Sequence, residues 1–513
     1  MAATYRLLVD WRDDGFADVA DDVTARTLDQ RTILTATYGR DQSRQLAPTS
    51  PGELGFELDN RSGDYSPENT GSPLAGFIAP GRSVRFEASA AGTNVVLYAG
   101  YLDDFDLKPG INDRSVPATC TDALGRLRGV TVTTPLYQGV RTGAAIGYLL
   151  DAVGWPSDMR DLDLGASYLP YWWLDNTDAF DALMQLVDSE GPASLVTVDG
   201  AGRIVFRDRH HRLVRDASLT AQATWRSSSP EPVMSDPLGY DHGWKEIVND
   251  VSVDVPIRTP DPMRSVVWST GGLLTVPAGS SIDVTATASG PFLSALTPEA
   301  DIDYTLVSGS VTVDLSQTSG QSSTITLTSA GGATIQNLQL RAHAIQSVSV
   351  KVSAEEPASI AKYGRRGYQS GRLPVWANPY DAAAILTLII AGRSERTPTL
   401  SITMRGAGSP TRLMECLTRS LSDRVRVTES LTGFDADCYI ERISHSVSQG
   451  GLEHVTTFGV EKVPAIVTSP LTFDGAGLGF DQGAFAGGGV DNPNTLLTFD
   501  QAGRGFGQGL FVT

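Results

Sequence analysis

The chain has 513 residues, 41% hydrophobic and 19% charged, which is ordinary globular usage and enough for about three domains at roughly 150 residues each. Its 40 Lys plus Arg against 59 Asp plus Glu give a net charge of −19, a surface that repels phosphates and argues against DNA binding as the main function. Cys120, Cys416 and Cys438 have no C-x-x-C spacing, so neither a disulfide framework nor a zinc knuckle is expected.

Residues 1–134 show short alternating segments, such as Gly52 to Leu58, Ser83 to Glu87 and Asn94 to Leu102, bounded by turn residues. Period-two alternation at regular spacing predicts an all-β barrel or sandwich. At 135–215 the period changes. Gly143 to Val153 and Asp178 to Val187 carry apolar residues three and four apart, with Thr177 or Asp178 as N-cap and Gly154 and Gly191 as stops. Leu195 to Arg207 reads as two strands about Asp199-Gly200, so this stretch is a small α/β insertion. Residues 216–264 read as strands returning to the barrel. The Ser/Thr-rich stretch 265–355 predicts a β-sandwich-like unit, and 356–465 an α+β unit with a dominant sheet and a helix over Asp381 to Ile390, which the resemblance described below makes a second barrel-like unit. The predicted fold class is therefore mainly β and multidomain.

The tail, 466–513, repeats itself. Leu471 to Phe485 returns 26 residues later as Leu497 to Phe511, with eleven identities in fifteen positions. Glycine-rich composition alone predicts a flexible tail. The recurring Phe473, Phe480, Phe485 and Phe499, Phe506, Phe511 predict a protein-docking segment instead, because disordered tails are poor in aromatics.

Signatures of chemistry are missing. No glycine precedes any of the five lysines, so there is no P-loop, and G-x-S-x-G, H-E-x-x-H and G-x-G-x-x-G are absent. Adjacent His210 and His211 would point to opposite faces of a strand end, which disfavours a shared metal. His445 and His454 are expected to face each other across a hairpin. Asp10, Asp13, Asp14, Asp18, Asp21 and Asp22 lack the order of a calcium loop and read as a solvated acidic loop. Paired carboxylates for glycoside hydrolysis need only spatial closeness, and nothing singles out a pair. Trp155, Tyr168, Tyr171, Trp172 and Trp173 read as a packed mini-core or contact rather than a sugar platform. No catalytic, metal or cofactor residue is assigned. The N-terminal residues lack a signal-peptide pattern, and the longest nearly apolar run, Ala382 to Ala391, is half of the ~20 residues that span a bilayer. A soluble, cytoplasmically made product is expected.

One set of motifs is more specific. Leu58-Asp-Asn-Arg-Ser-Gly-Asp-Tyr-Ser-Pro-Glu-Asn69, Ser72-Pro-Leu74 and Ala79-Pro-Gly-Arg-Ser-Val-Arg85 resemble the N-terminal barrel of tail hub proteins (baseplate hub or minor tail proteins) of long-tailed actinobacterial phages. Tyr98 to Asp103, Cys120 to Leu127, Leu149 to Pro156, Asp199 to Arg207, Ser359 to Gly364, Trp376 and Ser422 to Val427 follow in the same order, so the resemblance spans roughly residues 5 to 465. It implies tail-tube-like β-barrels and a structural role at the virion's tail tip. A homotrimer would adapt the six-fold tube to three-fold tip proteins, and DNA would pass its lumen without specific binding. Implied partners are the distal tail protein or tail tube, the tape measure protein and other tail-tip proteins. The alternative is a host-surface glycan or receptor-binding tail module, using the 265–355 unit or Trp172 and Trp173. A tail-associated hydrolase lacks a recognisable nucleophile or metal set.

Overall fold

The computed structural model describes residues 3–27, 34–40, 43–110, 114–228, 233–368 and 378–464. It is mainly β, in several units.

The N-terminal unit has six principal strands: β1 (Thr4–Val9), β2 (Leu34–Arg40), β3 (Thr49–Asp59), β4 (Ser83–Ala90), β5 (Thr93–Phe105) and β6 (Arg114–Thr121). They pair in the order β1-β4-β5-β6-β3-β2. The alternation read from the sequence is the burial alternation: in β4, Val84, Phe86, Ala88 and Ala90 point inward and the residues between them do not. The core they enclose includes Leu7, Trp11, Leu34, Leu58, Phe86 and Val116.

The insertion holds α1 (Thr142–Ala152) and α2 (Ala179–Asp188), followed by β7 (Leu195–Val198) and β8 (Ile204–Arg207). The Asp178 carboxylate accepts from Asp181 N and caps α2, and Gly154 and Gly191 end their helices at φ +74° and +81°. The hairpin differs from the expected two-residue turn. Its loop runs from Asp199 to Arg203, closed by Asp199 Oδ1 accepting from Ala201 N and Arg203 N, and the left-handed residue is Gly202 rather than Gly200.

Strands of the 216–264 stretch join the C-terminal unit. β9 (Thr224–Arg226) and β10 (Ser235–Asp241) pair with strands near residues 426 and 401, and β11 (Asp250–Pro260) forms a long antiparallel ribbon with β12 (Gln339–Glu355). That ribbon carries the Ser/Thr-rich unit at its far end. There, two three-stranded sheets, Leu273–Val276 with Ala333–Gln336 and Thr305–Gly309, and Ser280–Thr287 with Ser322–Ser329 and Thr312–Gln317, enclose Val276, Phe292, Ile325, Leu327 and Ile335.

The C-terminal unit contains α3 (Pro379–Arg393), β13 (Thr399–Arg405), α4 (Pro410–Thr418), β14 (Arg424–Glu429), β15 (Phe434–Ser448) and β16 (Glu453–Lys462). Its core gathers Trp225, Leu400, Ile402, Val425, Ile440, Ile443 and Phe458. Among the described residues no helix is long and apolar enough to cross a membrane.

Candidate functional site: the seam between the two β units

The two β units are one hydrogen-bonded sheet. β2 pairs antiparallel with β15 from Leu34↔Val447 to Gly39↔Arg442, giving the order β1-β4-β5-β6-β3-β2-β15-β16-β13-β10. The seam is tight at Gly39, whose φ is +112° and whose added Cβ would stand 2.5 Å from the Glu441 carbonyl oxygen. β15 serves both cores: Ile443 packs in the C-terminal one and Val447 in the N-terminal one. α4 is likewise shared, with Leu413 and Leu417 in the N-terminal core and Cys416 in the C-terminal core.

Buried charge locks the seam. Arg40 Nε donates to Glu441 Oε2 at 3.0 Å, and Arg212, from the end of the insertion, donates through Nη1 to Oε1 at 2.8 Å. Arg40 also donates to the carbonyls of Ala47 and Ser194, tying the first unit to the insertion. Ser422 Oγ and the face of the Tyr439 ring complete the surroundings of Arg212. A second pair, Arg393 with Glu461, joins the end of α3 to β16, and Glu461 accepts from Gln45 N at 2.8 Å. Charges this deep are tolerated because each has an opposite partner and further hydrogen bonds.

Between the two cores lies a chain of four polar side chains. Tyr5 hydroxyl meets His454 Nδ1 at 2.9 Å, His454 Nε2 meets His445 Nδ1 at 3.2 Å, and His445 Nε2 meets the Tyr38 hydroxyl at 3.4 Å. Thr456 Oγ1 lies 3.1 Å from both rings. Burial lowers the pKa of His454 to about 4. Burial and the neighbouring His454 hold His445 well below the ordinary histidine value. The expected cross-strand pair is therefore present, buried rather than at the surface. Its rings are held neutral, each nitrogen is engaged, and it joins the units without opening to solvent.

The other sequence candidates have structural places. His211 starts a short helix rather than lying on a strand, buried between Asp208 O and Ser422 Oγ. The acidic loop is not uniformly solvated. Asp10 and Asp21 are buried, Asp10 accepting from Asp14 N and Gly15 N and Asp21 from Trp11 N and Asp18 N. With Asp14 their carboxylates lie within 4.8 Å of one another, where they fold the turn after β1. Trp172 is in the insertion core, stacked on Tyr137. Trp173 lies under Arg258 of β11 and donates to Gln321 Oε1, so this aromatic cluster joins the insertion to the ribbon and the sandwich-like unit. All three cysteines are buried free thiols. Phe473, Phe480, Phe485, Phe499, Phe506, Phe511 and Trp376 lie outside the described residues. Sequence reading missed Arg40, Glu441, Arg212 and Glu461; the available signal was a carboxylate beside apolar strand residues, as in Ile440-Glu441 and Val460-Glu461.

No family model matches the chain, and no curated protein matches it. Solved structures align with most of the chain at low identity. A tail protein from Neisseria meningitidis MC58 aligns over 90% of this chain and 97% of its own at 12% identity and TM-score 0.47. The 43 kDa tail protein of prophage MuSo2 from Shewanella oneidensis aligns over 90% and 98% at 11% identity and TM-score 0.47. The prophage tail protein gp18 from Listeria monocytogenes aligns over 90% and 95% at 8% identity and TM-score 0.41.

Proposed function

We propose that this chain is a structural tail hub of a long-tailed phage. It would form a homotrimeric ring at the tail tip that adapts the six-fold tail tube to three-fold tip proteins. The observation that carries the reading is the seam: two β units in one protomer are fused edge to edge through β2 and β15 into a single 13-stranded sheet. Three such protomers would present six β units in a ring, the symmetry match a hub needs. The colinear motifs from Leu58 to Val427 support the same assignment.

The role is one of scaffolding, not catalysis. The polar clusters of the seam are buried and mutually satisfied, which suits a rigid joint. The net charge of −19 suits a lumen that does not retain passing DNA. Contacts run to the distal tail protein or tube, the tape measure protein and neighbouring tip proteins. Gold-labelled antibody against the chain, applied to intact virions under the electron microscope, should mark the tail tip. Label on the capsid or along the tube would overturn the assignment.

A further inference from the structure

Helix α3 is apolar on more than one side. Its inner side, with Ala382, Ile385, Leu386, Ile389 and Ile390, packs on Val251 and Val255 of the ribbon. Its outer side shows Tyr380, Ala383, Ala384, Thr387 and Leu388 to solvent, at the three- and four-residue spacing of one stripe, with no charge among them. Leu388 is 43% exposed and Tyr380 56%. Thr387 offers little polarity, because its hydroxyl donates back to Ala383 O at 2.8 Å. The two charged residues of the helix, Asp381 and Arg393, are both buried. On the ribbon face that α3 packs against, two further valines are exposed: Val350, which pairs with Val255, and Val348, which pairs with Ile257. A helix apolar all round is normally covered all round, and a patch of this kind on an otherwise charged protein marks a binding face.

We propose that the first Phe repeat of this same chain, Phe473, Phe480 and Phe485, covers the outer face of α3. The position of the last described residue carries the choice of occupant. Pro464 packs at the C-terminal end of α3, 3.7 Å from where a Cβ on Gly392 would stand, so the remaining 49 residues set out from the edge of the uncovered face. The nine residues from Pro464 to Phe473 reach at most about 30 Å, against about 22 Å for the whole of α3. A tether that short gives an effective concentration of order millimolar, enough to keep a weak apolar contact closed. The second repeat, with Phe499, Phe506 and Phe511, has the longer tether and so the lower effective concentration at this face. The inference stands whether or not the chain is a hub.

Thiol labelling tests it, because Cys120, Cys416 and Cys438 are all buried and a Leu388→Cys substitution adds the one exposed thiol among the described residues. In the full chain a maleimide should react at that position about tenfold more slowly than in a chain ending at Pro464. The full-length Phe473→Ser, Phe480→Ser, Phe485→Ser variant should react as fast as the shortened chain, and it guards against a folding defect caused by truncation. The protection should not change with protein concentration. Equal rates in all three proteins would overturn the proposal, and protection that disappears on dilution would assign the face to a second copy instead.

Discussion

Arg40 and Glu441 are 401 residues apart in the chain and 3.0 Å apart in space, and their side chains are 5% and 1% exposed. That contact makes two sequence-distant β units one body. Glu441 also holds Arg212, so two buried guanidinium groups share a single carboxylate.

Glu441→Ala leaves Arg40 and Arg212 facing each other without the carboxylate they share, and breaking a buried pair in this way costs about 3–5 kcal/mol. Urea unfolding at pH 7 should show a loss of that size. A loss below about 1 kcal/mol would mean that the seam does not depend on this cluster.

Acid should weaken the seam through the histidine pair. His454 titrates near 4 in the folded chain and near 6.5 when unfolded, so the unfolded state takes up the proton first. Stability therefore falls as pH drops from about 6.5 to about 4, by roughly 3 kcal/mol from this residue, and His445 acts in the same direction. Asp122, buried and raised to about 7, gains stability as it is protonated and works in the opposite sense. The measurement is therefore a difference: wild type should lose more stability between pH 7 and pH 4.5 than the His454→Gln, His445→Gln double variant. Equal losses would contradict the account.

Gly39→Ala would place a methyl 2.5 Å from the Glu441 carbonyl oxygen and 2.9 Å from Arg442 Cα, at a φ that disfavours side chains. Overpacking and backbone strain together should cost roughly 2–4 kcal/mol. Gly92→Ala is the control. It shares a positive φ, +79°, but has nothing within 4 Å, so it should cost only about 1 kcal/mol. Similar melting temperatures for the two variants would show that the seam can part to admit the methyl.

Trp172→Ala should destabilise the chain by about 3–5 kcal/mol, as expected for a core aromatic. Wild-type protein on a glycan array should show no binding that this variant abolishes, because Trp172 is only 1% exposed. A specific glycan signal lost on substitution would revive the receptor-binding alternative.

Local features were legible in the sequence because they depend on neighbouring residues. Asp178 as a cap, Gly154 and Gly191 as stops and the alternation in Ser83 to Glu87 all follow from near-neighbour chemistry. The histidine pair was legible as well, since His445 and His454 lie on consecutive strands. The Arg40–Glu441 contact was not, because nothing local tells a strand carboxylate which distant guanidinium it will meet. The acidic loop misled for the opposite reason. Six aspartates in thirteen residues suggest solvent, yet Asp10 and Asp21 turn inward to satisfy the backbone N–H groups of their own turn. The β11–β12 ribbon, which separates the sandwich-like unit from the rest, pairs residues about a hundred positions apart and left no short-range signal either.

If a fused pair of β units is used three at a time, native mass spectrometry of the purified chain over a range of concentrations should show it. A dominant species at three times the 54.5 kDa chain mass is expected. A hexamer, or a monomer that persists at every concentration, would contradict it.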